Sequence, residues 1–169
     1  HGISRGYTLA EIIGEKWIEG GVQQWTGIRG GLREACYRNG NQSSNQFTIA
    51  ITARLPGEKP ATAEYSIRVN VGDKGRPAYV TAESLAIGGR GKFVFHTHPQ
   101  GHPAAVSEDT RKIHARIRKN PQQGWIGPTL DFANDRPIVT QLGEHPGTKK
   151  LKARADGQAF LATISSFRF

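Results

Sequence analysis

From Phe47 to Leu55, apolar and polar residues alternate. Phe47, Ile49, Ile51, Ala53 and Leu55 form one set, with Thr48, Ala50, Thr52 and Arg54 between them. A period of two sends successive side chains to opposite faces, so this segment predicts a half-buried strand closed by Pro56-Gly57. Tyr65, Ile67, Val69 and Val71 alternate with Ser66, Arg68 and Asn70 and predict another strand, ended by the turn Gly72-Asp73-Lys74-Gly75. Ala78 to Ala82 predicts a shorter one. Lys92 to His98 predicts a strand that Pro99 ends, and Glu34 to Arg38 a short strand before the turn signal Asn39-Gly40. Leu130–Phe132, Ile138–Leu142 and Phe160–Ile164 read as later strands.

Helical spacing is read twice. Thr8 and Glu11 form a capping box, with Tyr7 and Ile12 at the staple positions. Leu9, Ile12, Ile13 and Trp17 then share one face, and Gly20-Gly21 stops the helix. Ser107 to Lys119 predicts a second helix. Its apolar stripe is Val106, Thr110, Ile113 and Ile117, and Arg111, Lys112, Arg116, Arg118 and Lys119 face water. The order predicts an α+β fold, a mixed β-sheet flanked by helices. We expect a single domain over residues 1–169, with an N-terminal helical extension.

Composition narrows this picture. The chain has 169 residues, 36% of them hydrophobic, and 21 glycines, so a core must share the chain with many turns. Lys and Arg number 23 against 14 Asp and Glu, a formal net charge of +9. That excess calls for an acidic partner: a protein or peptide with an acidic surface, nucleic acid, or a membrane surface. The single cysteine excludes an intramolecular disulfide and a four-cysteine zinc site, and favours a reducing, cytoplasmic compartment. A secreted or delivered effector domain is the alternative. No apolar run is long enough for a transmembrane helix. The chain lacks Met and begins at His1, from which we expect a processed product or an excerpt of a longer chain.

The sharpest chemical signal is His96-Thr97-His98-Pro99, with Asp109 eleven residues beyond His98. On a strand, residues two apart share a face, so His96 and His98 can meet one cation. A carboxylate from the first turn of the next helix can close on the same point. Two imidazoles, one carboxylate and an open fourth position describe a catalytic zinc site, with one Zn2+ per chain. A nearby carboxylate must then take and redeliver a proton. The plain alternative is a strand end whose histidines face solvent. His102 sits in the intervening loop, and His114, five residues past Asp109 on the expected helix, would point away from the site. Cys36 with His96 could form a thiol hydrolase pair, but cysteine more often serves as a small buried hydrophobe. His1-Gly2 suggests copper ligation through the terminal amine, against which stand the opening helix and the single cysteine.

His-Thr-His-Pro followed by Asp109 resembles the JAMM (JAB/MPN) metallopeptidase motif, His-x-His-x(10)-Asp, over roughly residues 30 to 142. The resemblance implies a JAB/MPN-like fold, with His96, His98 and Asp109 as metal ligands and a peptidase or isopeptidase activity. In that family the motif joins a strand to a helix. Glu34-Ala35-Cys36-Tyr37 is similar to the segment that carries the family's catalytic glutamate, which implies Glu34 as general base; Glu64 is its competitor. The family's serine position holds Val106, one residue before Ser107, so Ser107 either stabilises the oxyanion or caps a helix. Two other functions stay open. One is a catalytically weak JAB-like binding module. The other is a bacterial toxin effector domain acting on protein or nucleic acid, since JAB-like domains occur in polymorphic toxins.

Overall fold

The computed structural model describes residues 42–57, 60–71, 77–89, 92–97, 111–119 and 128–166, the short segments 15–17, 23–25 and 38–39, and Ile3, Leu9 and Cys36. Its centre is an antiparallel sheet of β5 (Gln46–Leu55), β6 (Ala61–Asn70), β7 (Tyr79–Ile87), β8 (Phe93–Thr97), β9 (Lys112–Ile117) and β10 (Thr129–Ala133). The strands lie side by side in chain order. Two small hairpins precede it, β1 (Glu15–Trp17) with β2 (Gln23–Trp25) and β3 (Arg38–Asn39) with β4 (Gln42–Ser43). After it come α1 (Ile138–Gln141), a 3-10 turn at Pro146–Thr148 and α2 (Lys152–Ser165).

The α+β class holds, with four corrections. The sheet is antiparallel in all five pairings, not mixed. Lys112–Ile117 is a strand, not the end of a helix, because Ile113, Ala115 and Ile117 alternate into the core. Ile138–Gln141 is helical, and the helix Lys152–Ser165 takes in Phe160 to Ile164, where strands were expected at Ile138 to Leu142 and Phe160 to Ile164. Glu15–Trp17 pairs with Gln23–Trp25 as a hairpin, where the first helix was expected to continue.

The two faces of the sheet differ in what they bury. One carries Ala63, Tyr65, Ile67, Leu85, Phe95, Ile117 and Phe132, all nearly inaccessible to solvent. On this face α2 packs Ala153, Gly157, Phe160 and Ile164, four positions at helical spacing. The Phe160 ring lies 5.1 Å from that of Tyr65. Burying such a ring is worth about 1.5–3 kcal/mol. Gly157 permits close approach, since a Cβ there would stand 2.9 Å from Leu142 Cδ1. Leu9 adds to the core, and its N–H donates to the Asp135 carbonyl over 2.7 Å.

The core also holds a carboxylate. Glu83 on β7 accepts from the Ile138 N–H at 2.6 Å, the Val139 N–H at 3.0 Å and the Tyr65 hydroxyl at 3.1 Å. These donors occupy its oxygens and anchor the start of α1, whose N-cap residue Pro137 makes no side-chain cap. Burial still raises the Glu83 carboxyl to about 7, against the pull of those same hydrogen bonds. Among the described residues, no helix is long and apolar enough to cross a membrane.

Candidate metal centre

β8 lies inside the sheet between β7 and β9. Its alternation sends Phe95 and Thr97 into the core and His96 to the other face. The Thr97 hydroxyl is held from within, accepting the Glu83 N–H at 2.9 Å. This fixes the last turn of the pleat from which His96 projects. His96 is half-buried, and register places it directly between Ser84 on β7 and Arg116 on β9. Its Nδ1 lies 3.0 Å from the Thr97 carbonyl oxygen. A carbonyl can only accept, so Nδ1 carries the proton and Nε2 carries the lone pair. This is how a metal-ligating imidazole is commonly oriented.

A depression of about 340 Å³ lies beside His96 on the same face, with Thr52, Glu64, Ser66, Ser84 and Phe93 among its lining. Ser84 is the direct cross-strand neighbour of His96, and the Phe93 ring stands 5.6 Å from the imidazole. Two residues of the depression's lining are therefore neighbours of the histidine. Its mixture of hydroxyls, one carboxylate and an aromatic ring suits an extended polar chain.

Of the residues singled out from sequence, His98, Asp109, Glu34 and Ser107 lie outside the described residues, as does His102. The chain enters β9 through Arg111, whose φ of 51° lies in the left-handed region. The strand that follows, Lys112–Ile117, stands where the later part of the expected helix was read. Glu64 does lie on the open face, paired with Thr52 and Ala86. It stands two strands from β8, about 10 Å at ordinary strand spacing, too far to take a proton from a water held at His96. Cys36 is buried, and burial pushes its thiol up, which disfavours the thiolate that a Cys-His hydrolase needs.

Sequence reasoning turned His114 away from the face of His96. It lies on the open face of β9, two residues from Arg116, and pairs directly with Asp131 on β10. Its Nδ1 stands 2.5 Å from Asp131 Oδ1. Lys112 and Arg116 flank it on the same face, both exposed. The signal was present in Ile113-His114-Ala115-Arg116-Ile117, which fits a period of two. Among the described residues, no group of three or more His, Cys, Asp or Glu side chains is close enough to hold a metal ion. Comparison with protein-family models, with curated proteins and with solved structures finds no match.

Proposed function

We propose that the chain is a zinc-dependent peptidase or isopeptidase that hydrolyses an amide bond, with His96, His98 and Asp109 as metal ligands. The observation that carries this reading is His96 itself. It lies near the end of a core strand on the open face, its Nδ1 is set against a carbonyl, and its neighbours Ser84 and Phe93 line a depression of about 340 Å³. An imidazole whose tautomer is fixed in this way fits zinc, for which Nε2 is the ligating atom. Zinc, when bound, supplies a Lewis acid and brings the pKa of a water to about 7.

The chain's own residues do the rest. Glu34 takes the proton from the attacking water and delivers it to the leaving amine, a role worth typically 10²–10⁴-fold. Ser107 donates to the developing oxyanion. Ser66 and Ser84 hydrogen-bond the substrate backbone along the depression, and Lys112 and Arg116 favour a substrate with an acidic surface. The catalytically weak binding module is the second reading, and the strand at Lys112–Ile117 favours it, because the helix expected over Ser107 to Lys119 does not run through those residues.

Metal content and turnover separate the two. Protein purified without chelator should carry one zinc by elemental analysis, and His98→Ala should lose most of it. Glu34→Gln should keep zinc and fold while abolishing cleavage of a peptide or isopeptide panel. Full zinc retention in His98→Ala would overturn the ligand assignment. Absence of zinc-dependent cleavage by the wild-type chain would leave the binding module.

A further inference from the structure

We propose that β5 pairs with the β5 of a second copy of this chain, antiparallel about Ile51, and so joins two six-stranded sheets into one.

The ladder between β5 and β6 decides which way the β5 backbone points. Asn45 stands opposite Val71, one step beyond the Gln46–Asn70 pair, and its carbonyl accepts the Val71 N–H at 2.9 Å. Opposed residues in an antiparallel ladder exchange both bonds or none, alternating along the strand. The register runs to Leu55–Ala61 without a shift. Phe47, Ile49, Ile51, Ala53 and Leu55 therefore bond β6, and Gln46, Thr48, Ala50, Thr52 and Arg54 turn their N–H and carbonyl groups outward. Ser44 closes the first of these: its hydroxyl accepts from the Gln46 N–H at 3.1 Å and donates to the Gln46 carbonyl at 2.9 Å. Thr48, Ala50, Thr52 and Arg54 are exposed, and among the described residues no group hydrogen-bonds their outward N–H and carbonyl groups.

The far edge of the sheet is closed. On β10 the Gln141 amide bonds both backbone groups of Ala133, accepting at 3.0 Å and donating at 2.8 Å, and the Asp131 carbonyl accepts from His145 Nε2 at 3.1 Å. Among the described residues β5 has no such cover. It also lacks the usual protections of an exposed edge: over ten residues it carries no proline, no lysine and no bulge against β6.

The occupant is a second copy because the edge complements itself. The four open residues are centred on Ile51. A two-fold axis there sets Thr48 opposite Arg54 and Ala50 opposite Thr52, with about eight backbone bonds, two in each pair. An axis at Ala50 would reach only about six and would set Arg54 against the closed Gln46. Arg54 is the only charge on the strand, and with the axis at Ile51 it meets a threonine, not its own copy. On the other face Ile51 meets Ile51, and Ile49, a large apolar side chain left 37% exposed, meets Ala53. Such β-branched pairs stabilise neighbouring strands. Ala50 and Thr52 line the depression of about 340 Å³, so the second copy's β5 adds to its wall. Nothing in this pairing depends on the metal ligands named above.

The test combines sedimentation velocity with amide hydrogen exchange by NMR, on the full chain at about 5 and about 500 μM, a range that spans micromolar dissociation constants. The chain should sediment as a dimer at the higher concentration, where the Thr48, Ala50, Thr52 and Arg54 amides should exchange at least about tenfold more slowly. The Ile49, Ile51 and Ala53 amides, already bonded to β6, should be slow at both. Ala50→Pro removes an outward N–H that the fold does not use, where an edge strand tolerates proline, and should raise the dimer dissociation constant at least about tenfold. Charge reads the register. Thr48→Lys sets a cation opposite Arg54 and should weaken the dimer, whereas Thr48→Glu should tighten it, each by about two- to thirtyfold over the two symmetric pairs. Circular dichroism checks each fold, and the Thr48 variants decide alone if Ala50→Pro unfolds. A chain that stays monomeric at the higher concentration, with fast exchange at the four amides, overturns the proposal and leaves the edge to a foreign strand. Protection of those amides in the monomer overturns it as well, since another part of the chain then covers β5. A dimer unmoved by folded Ala50→Pro is built on another surface, and Thr48→Lys and Thr48→Glu acting in the same direction refute the pairing about Ile51.

Discussion

The two faces of the six-stranded sheet are made by the same strands and obey different rules. On the core face every position is filled: Tyr65, Leu85, Phe95 and Ile117 stand side by side across four strands, and Phe160 closes over them. The matching row on the open face reads Ser66, Ser84, His96 and Arg116. A residue there owes little to packing, so its identity is available for chemistry. The carboxylate inside the core, Glu83, is tied down by three donors. On the open face, His96 sets its Nδ1 against the Thr97 carbonyl and His114 sets its own against the Asp131 carboxylate.

The contrast can be broken most directly at Phe160. Phe160→Ala should cost about 3–5 kcal/mol by urea unfolding, the range for a large buried ring; a loss below 1 kcal/mol would mean that α2 does not seal the core. Glu83 gives the next effect. Its folded pKa of about 7 exceeds the ordinary 4.5, so between these values the folded chain holds a proton that the unfolded chain has released. Stability is then fully present below pH 4.5 and is lost as pH rises through 7, by up to about 3 kcal/mol. Glu83→Gln should flatten that slope, measured as unfolding midpoints from pH 5 to 8. A wild-type chain that gains stability over this range would show that the carboxylate is buried charged. Gly157→Ala sharpens the picture at lower amplitude. The gain in helix propensity is about 1 kcal/mol and the overpacking against Leu142 about 1–3, so we expect a net loss of about 1 kcal/mol. On the open face, Glu64→Gln should change stability by less than about 0.5 kcal/mol and leave zinc content untouched. A large effect there would give the open face a structural role.

Strands were legible where alternation was clean. β5, β6 and β8 follow the apolar period almost residue by residue, and β10 follows from Leu130-Asp131-Phe132. β9 was obscured because Ile113 and Ile117 are four apart and satisfy a helix as well as a strand; Ala115 decides between them, and its small side chain makes a weak signal. α2 was hidden in a similar way, since two of its four buried positions are Ala153 and Gly157. That left Phe160 to Ile164 as an isolated apolar run, which periodicity cannot assign. His96 was singled out from the motif, and it lies on the open face of β8. His114 was set aside because a wrong period turned it away. Glu83 was out of reach, because its partners Ile138 and Val139 lie 55 and 56 residues along the chain. His98, Asp109, Glu34 and Ser107 stay readings of sequence.

The order of the strands also sets a timetable. Each strand from β6 to β10 pairs with its immediate predecessor, so the sheet can zip from one end as the chain leaves the ribosome. The cover arrives last: α2, at residues 152–165, packs back on β5, at residues 46–55, almost a hundred residues earlier. Until that helix is made, the nascent sheet offers water the apolar face that Phe160 will close. The protein therefore passes through an obligatory sticky stage during synthesis, and a stalled or shortened product should be a client for chaperones, not a smaller version of the same molecule.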